Sequence, residues 1–237
     1  MKGNVFIGAV AAFGAVVLGQ SLYHVAADGF EAKHLAWLGI AVLTVLVGRL
    51  SVKLPLPHCR VSFADAFVFL SVMVFGGDLA TMTAALDGFA SSSREKGTWH
   101  KKVFNTTGMA LSVNLASRVF ARLIPQRGEW SARVTIADLL LPVAALALTQ
   151  YVLNTALVSS VVALKEHQSL VAIWQDSSPW AGTAYLAGSV AAAIVFLVVR
   201  ELGVVSTFAI LPFPAILYLT YRACLDRLVR MKGGMTL

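Results

Sequence analysis

Apolar residues follow one another along this chain in runs of about 20, with short polar connectors between them. A helix of about 20 apolar residues crosses the ~30 Å hydrocarbon core of a bilayer. A buried helix of a soluble protein usually keeps a polar face, which these runs lack. The pattern therefore predicts an all-α, polytopic transmembrane helix bundle in which residues 1–237 form a single integral membrane domain.

Eight helical segments are predicted from the apolar runs, at about 4–26, 34–51, 62–76, 79–92, 103–124, 136–163, 180–200 and 204–224. The third and fourth have only about 15 residues each and would cover roughly 22 Å. They form either two short full spans or a re-entrant hairpin, which is tolerated only where protein or water buries it. Pro212 and Pro214 predict a kink in the eighth segment.

Charge orients these segments. Charged residues make up 13% of the chain, and the formal net charge is +7. Basic residues cluster in three connectors, around 49–60, 94–102 and 222–232, which the positive-inside bias assigns to the cytoplasm. A fourth basic cluster, at 118–133, disagrees with this orientation but is outnumbered. We expect a multi-pass protein with both termini in the cytoplasm, and the scatter of the basic residues argues against a nucleic-acid partner.

Polar residues inside the apolar segments are the candidate functional residues, because ionisable groups are costly within a membrane. Asp87 lies near the middle of the fourth segment, one helical turn after Thr83. Further candidates occupy segments five and six, namely Asn105, Asn114, Arg118, Gln150 and Asn154. Hydrogen bonds between helices and a ligand pocket built by segments four, five and six both explain these positions. We predict that Asp87 points into the bundle, with Asn105 and Arg118 as its candidate partners.

Two pairs of polar residues have the spacing of a helix-capping box, Ser62 with Asp65 and Thr135 with Asp138. In that motif the hydroxyl and the carboxylate satisfy N–H groups of the first helical turn, and the negative charge complements the positive helix end. We predict these four residues as helix caps, with a ligand role as the alternative.

Small residues spaced four apart allow helix backbones to approach closely. They predict packing within the bundle or, as the alternative, contact between two copies of the chain. The pairs and triplet concerned are Gly8 and Ala12, Ala15 and Gly19, and Ala184, Gly188 and Ala192.

Motifs of catalysis and metal binding are missing from the sequence. Neither His-x-x-x-His nor Cys-x-x-Cys spacing occurs, so no metal site is indicated. A phosphate-binding glycine loop and a nucleophile elbow are also missing. We therefore predict a protein that is not an enzyme and that uses neither a metal nor another cofactor.

Residues 61–122 contain a series of short motifs: VSFADAFVF at 61–69, GGDLA at 76–80, ALDG at 85–88, SSR at 92–94 and FNTTGMALS at 104–112. Together they resemble the N-terminal membrane-associated sensor (MASE-type) regions of bacterial signalling proteins. The resemblance implies location in the bacterial inner membrane and an output domain that metabolises cyclic di-GMP or is a histidine kinase. YRACLDRL at 221–228 resembles the start of the signalling helix of that family, so residues 221–237 are expected to begin a cytoplasmic helix or tail. We expect no output domain within residues 1–237, and the catalytic activity of the family is therefore not carried over.

Three functions are compatible with these features. The first is an integral membrane sensor that binds a small or lipophilic ligand and relays a signal to a cytoplasmic output domain or partner, with homodimerisation as an option. The second is a small-solute transporter or its substrate-binding membrane subunit, which an intramembrane Asp87 and a broken eighth helix would suit. The third is a structural membrane scaffold. We expect the sensor.

Overall fold

The computed structural model describes residues 2–48, 52–53, 60–61, 64–93, 98–124 and 135–203. Within these ranges the chain forms seven α-helices and one two-residue antiparallel pair of strands, which pairs Val52 with Val61. Ser62, the predicted eighth segment with its two prolines, and residues 221–237 lie outside the described residues. The elements are α1 (Lys2–Ala27), α2 (Ala32–Val47), β1 (Val52–Lys53), β2 (Arg60–Val61), α3 (Ala64–Phe75), α4 (Gly77–Ser93), α5 (Trp99–Leu123), α6 (Ile136–Glu166) and α7 (Leu170–Leu202).

Three stretches of helix in the described ranges are long and apolar enough to cross a membrane: Gly3–Ala27, Ile136–Glu166 and Ala181–Leu202. Large apolar side chains project outwards from them, such as Phe13 on α1 and Ile194 on α7. Extensive exposed apolar surface of this kind is stable against lipid rather than water. The predicted all-α membrane helix bundle is therefore confirmed.

Five helices close into a ring. Each neighbouring pair is in contact, in the order α3, α4, α5, α6, α7 and back to α3. The two remaining described helices lie outside this ring, α1 against α4, α5 and α6, and α2 against α3 and α4. The ring encloses an interior to which polar residues of several helices contribute, and the rest of its core is apolar.

Helix α3 is enclosed by protein on all sides. Every residue from Phe67 to Met73 is buried, and a helix that is apolar around its whole circumference is expected in such a position. It has 12 residues and α4 has 17, so they cover about 18 and 26 Å. Gly76, at φ +87, makes the turn between them. The two helices are short, as predicted, and the burial of α3 satisfies the condition for a re-entrant hairpin.

Helices α4 and α5 approach each other closely at two glycines of α4. A Cβ atom on Gly77 would lie 2.6 Å from Ser117 Oγ, and one on Gly88 would lie 2.6 Å from the carbonyl oxygen of Asn105. A side chain on Gly88 would displace the backbone of α5, and one on Gly77 would displace the side chain of Ser117. The glycines therefore bring the polar residues of the two helices together.

Helix α1 packs through a different face from the one predicted. Gly8 and Gly19 have open space beside them, whereas a Cβ on Gly14 would lie 2.3 Å from the carbonyl oxygen of Thr107 on α5. The buried face of α1 also carries Ile7 and Val10, which pack with Phe104. Among the described residues the prediction that Gly8–Ala12 and Ala15–Gly19 pack within the bundle is wrong, because the face that carries Ile7, Val10 and the tight approach at Gly14 makes the contact.

The small residues of α7 behave as predicted. Ala192 is buried, and a Cβ on Gly188 would lie 3.5 Å from the backbone nitrogen of Ala66 on α3. The small side chains therefore allow α7 to lie against α3 and to close the ring.

Capping explains the start of α6. The Thr135 N–H donates to Asp138 Oδ2 at 3.0 Å, and the Asp138 N–H donates to Thr135 Oγ1 at 3.4 Å, which is the predicted capping box. Helix α2 begins with an arrangement that the sequence did not indicate, in which the Glu31 N–H donates to His34 Nδ1 at 2.9 Å. Asp65 lies in the first turn of α3, and whether it caps that helix with Ser62 lies outside the described residues.

Candidate functional site

A cavity of about 200 Å³ lies between α4, α5 and α6. One part of its wall is polar and the other is apolar. The glycines in its lining matter, because nothing lies closer than 3.9 Å to a Cβ built on Gly108. A larger residue at that position would occupy space that is now open. The lining residues are Asp87, Gly88, Ser91, Phe104, Asn105, Gly108, Met109, Asn154, Leu157 and Val158.

Asp87 forms the charged part of the wall. Its exposed fraction is 6%, and it lines the cavity together with Asn105 of α5 and Asn154 of α6. It therefore points into the bundle beside polar groups of α5 and α6, as predicted. A carboxylate in this position pays a desolvation cost that only polar surroundings, water or a ligand can offset.

Asn154 connects the cavity to the opposite side of the ring. Its Nδ2 donates to Tyr185 Oη of α7 at 2.7 Å. The Tyr185 ring is buried, with its centroid 6.2 Å from that of Phe69 on α3 and 6.1 Å from that of Tyr151 on α6. Asn154 thus links the cavity wall to α7 through one hydrogen bond, and packed rings continue from Tyr185 to α3.

Tyr185 is a site residue that sequence reasoning missed. Its position relative to Gly188 and Ala192 follows the i, i+3, i+7 spacing of one helix face. A polar aromatic residue on the face that packs into the bundle was the available signal. Ala184, Gly188 and Ala192 were interpreted only as packing contacts, so Tyr185, which follows Ala184 directly, was not identified.

Asp65 adds a second carboxylate to the interior. It is half-buried on α3, and a negative charge on it would be repelled by one on Asp87 of α4. Both carboxylates also act on the phenol of Tyr185. A Cβ on Gly188 would lie 3.7 Å from Asp65 Cβ, so α7 passes directly beside this residue. Asp65 therefore contributes to the electrostatics of the ring interior, whether or not it also caps α3.

Thr83 belongs to a separate hydrogen-bond network and does not line the cavity. Trp37 Nε1 of α2 donates to Thr83 Oγ1 at 2.8 Å and to the carbonyl oxygen of Leu79 at 3.0 Å. Ser71 of α3 lies 3.3 Å from the same threonine oxygen. Thr83 thus joins α2, α3 and α4, and Trp37, which sequence reasoning did not consider, is its main partner.

Asn114 and Arg118 of α5 also lie away from the cavity. Asn114 Nδ2 donates to Thr81 Oγ1 of α4 at 3.3 Å, which is a hydrogen bond between helices. Arg118 is exposed and lies 13 residues beyond Asn105, or about 20 Å along the helix axis. That separation exceeds the length of an arginine side chain, so the pairing of Arg118 with Asp87 is not formed.

Gln150 lies behind the cavity wall. It is 1% exposed, and its Nε2 faces the sulfur of Met109, a lining residue, at 4.0 Å. Its Oε1 has no hydrogen-bond partner within the described ranges. Buried polar atoms without partners are rare in proteins and call for an explanation.

Metal binding was not expected from the sequence. Across the part of the chain that the structure describes, no group of three or more His, Cys, Asp or Glu residues is placed to hold a metal ion. The chemistry that the site offers consists of a carboxylate, amides, a hydroxyl group and an apolar wall.

Comparison with protein-family models, with curated proteins and with solved structures found no match. The resemblance of residues 61–122 to MASE-type regions therefore stays a prediction from the sequence pattern. What the site does has to be inferred from its own chemistry.

Proposed function

We propose that this chain is a membrane sensor module that binds a small ligand in the cavity at Asp87 and relays the binding to a partner. The observation that carries the proposal is a cavity of about 200 Å³ whose wall combines Asp87, Asn105 and Asn154 with apolar side chains. Ligand sites typically combine an apolar lining with a few placed polar groups. Ionisable groups inside membrane bundles commonly mark ligand or ion sites.

The relay begins at Asn154. A ligand can shift a conformational equilibrium only if it binds two conformations with different affinity. A ligand that competes for the Asn154 amide would weaken its hydrogen bond to Tyr185 and so change how α6 holds α7. The path continues towards the predicted eighth segment and the predicted signalling helix at 221–237, which lie outside the described residues. A cytoplasmic output domain or partner, or a second copy of the chain, would receive the signal.

Location and orientation complete the proposal. The MASE-type resemblance supports the bacterial inner membrane, and the three basic connectors support cytoplasmic termini. Three apolar membrane-length helices support residence in a bilayer. The exposed small residues of α1, which face away from the bundle, leave room for contact with lipid.

The test is equilibrium binding to the full chain in lipid nanodiscs, with a panel of cationic, anionic and neutral metabolites. Gly108→Leu adds a side chain where the cavity is open. Gly8→Leu is the matched control, because Gly8 has nothing within 4 Å and does not line the cavity. We expect at least one compound to bind the wild type and the control equally, and the Gly108 variant at least tenfold more weakly.

The same panel separates sensing from transport. Sealed liposomes that contain the protein should bind the compound without net uptake. Binding that is unaffected by Gly108→Leu, or no binding by any compound, would overturn the proposed site. Net accumulation inside the liposomes would instead favour the small-solute transporter.

A further inference from the structure

The polar side of the cavity carries one carboxylate, Asp87, together with the amides of Asn105 and Asn154. Asp87 contributes a carboxylate, and Asn154 directs its amide nitrogen away to Tyr185. A charged carboxylate accepts hydrogen bonds and donates none. Among the described residues that line the cavity there is no lysine, arginine or histidine.

Two groups outside the lining add further acceptor oxygens near the cavity. Gln150 Oε1 is a buried acceptor that has no partner in the described ranges, and it lies behind Met109. Asp65 of α3 adds a second carboxylate to the ring interior. An anion in the cavity would be repelled by the Asp87 carboxylate that lines it, whereas a cation would be attracted to that carboxylate.

The apolar side of the cavity favours an organic ammonium ion over a metal cation. Phe104, Met109 and Leu157 form this part of the wall, and they offer no oxygen ligands to a metal ion. Hard metal cations require several oxygen ligands or retained waters. An organic ammonium ion satisfies both sides, because its N–H groups donate to the acceptors while its carbon chain contacts the apolar wall.

We propose that the ligand of this site is a small protonated alkylamine, bound with its ammonium group at Asp87 and its carbon chain against Phe104, Met109 and Leu157. The inference rests on the proposed function, since it names the ligand class of the same cavity. The volume of about 200 Å³ sets the size, because typical drug-sized ligand pockets are larger, at about 300–1,000 Å³. A chain of a few carbon atoms fits this limit.

The experiment is calorimetric titration of the full chain in nanodiscs with four probes: n-butylammonium chloride, 1-butanol, sodium butyrate and sodium chloride. The first three share a carbon chain and differ in charge, and the fourth tests an alkali ion. We expect n-butylammonium to bind, 1-butanol to bind at least tenfold more weakly, and butyrate and sodium chloride to give no saturable heat.

Two carboxamide variants localise the charge requirement. Asp87→Asn should weaken n-butylammonium binding at least tenfold, because the carboxylate is lost at nearly constant volume. Asp78→Asn is the matched control on the same helix, since Asp78 pairs with His24 outside the cavity. It should leave binding unchanged. If Asp87→Asn does not fold, Asn154→Leu replaces it and should weaken the same probe.

The outcomes separate this inference from the function on which it rests. Binding of butanol or butyrate at least as tight as that of butylammonium, lost in Gly108→Leu, would overturn the alkylamine and keep the cavity as a ligand site. Saturable binding of sodium ions that displaces butylammonium would also overturn it, in favour of a metal cation. The absence of any binding in these titrations and in the metabolite panel would overturn the site itself.

Discussion

Polar side chains inside this bundle form two groups with different energetic consequences. Trp37, Thr83 and Ser71 are hydrogen-bonded to one another across three helices, so their polar atoms are satisfied in the folded chain. Asp87 instead lines an open cavity, and Gln150 lies behind the wall of that cavity, where its Oε1 has no hydrogen-bond partner within the described ranges. The first group should contribute to stability, and the second should contribute to binding.

Substitution of Gln150 tests this distinction directly. Gln150→Leu keeps the approximate volume, removes an acceptor that has no partner among the described residues, and gives up only a weak contact with Met109. Removal of an unsatisfied buried group is close to neutral or stabilising. We expect an unfolding temperature in nanodiscs equal to or above that of the wild type, together with weaker binding of the cavity ligand.

Thr83→Val provides the opposite case, since it removes the acceptor of the Trp37 hydrogen bond. Hydrogen bonds between membrane helices contribute about 0.6 kcal/mol on average. This variant should therefore lower the unfolding temperature and leave ligand affinity unchanged. A Gln150 variant that is less stable than Thr83→Val would show that Gln150 is a structural residue.

The sequence identified Asp87, Asn105 and Asn154 because each is polar within an apolar run, which is a local property. It did not separate them from Thr83 or Asn114, which have the same local property but face other helices. Which face of a helix meets which neighbour depends on the packing of the whole bundle. For that reason Tyr185 and Trp37 were also missed, although both are buried and hydrogen-bonded.

The packing of α1 against α5 depends on a close approach of the two helices at Gly14. The spacing of small residues on α1 is equally regular along the Gly8–Ala12 face and elsewhere, but among the described glycines of α1 Gly14 makes the closest approach to a neighbouring backbone. Helix lengths followed from the apolar runs to within a few residues for most elements. An exception is α7, which begins at Leu170, ten residues before the predicted start, because a helix can continue beyond its apolar part.

A pair of alanine substitutions tests the contact between α1 and α5. In Gly14→Ala the new methyl group would lie 2.3 Å from the carbonyl oxygen of Thr107, so the helices must separate. Overpacking of this kind costs about 1–3 kcal/mol. Gly8→Ala, with open space around it, should be neutral. The measurement is the unfolding temperature of each variant, and equal stability of the two would contradict this packing of α1.

The start of α6 allows a test of local capping. Thr135→Ala removes the hydroxyl that accepts from the Asp138 N–H. Loss of a threonine cap costs about 1 kcal/mol of helix stability. We expect a lower unfolding temperature and unchanged ligand affinity, because Thr135 lies outside the cavity lining. A change in affinity without a change in stability would assign Thr135 to the binding site.

The molecule as a whole is defined by the ring of five helices, which brings residues distant in sequence to one interior. Asp65, Asp87 and Tyr185 come from α3, α4 and α7 and interact electrostatically. No local pattern predicts this convergence, because it follows from the closure of α7 against α3. Burial of α3 on all sides was foreseeable from its uniform apolarity, whereas the identity of the helices that surround it was not.

Orientation in the membrane is a further property of the whole molecule. The basic connectors predict that position 97 faces the cytoplasm. A Gly97→Cys variant, in a chain with Cys59 and Cys224 replaced by serine, should resist an impermeant thiol reagent in intact cells and react after the membrane is made permeable. Strong labelling in intact cells would invert the proposed topology and place the α4–α5 connector outside.

An experimental density map of the protein purified from its own membranes would show whether the cavity between α4, α5 and α6 holds a ligand. We expect a continuous feature larger than a water molecule, within hydrogen-bonding distance of Asp87 and in contact with Phe104. Gly108→Leu should abolish that feature, while Gly8→Leu should retain it. A cavity filled by side chains, or an Asp87 side chain turned towards lipid, would contradict the account.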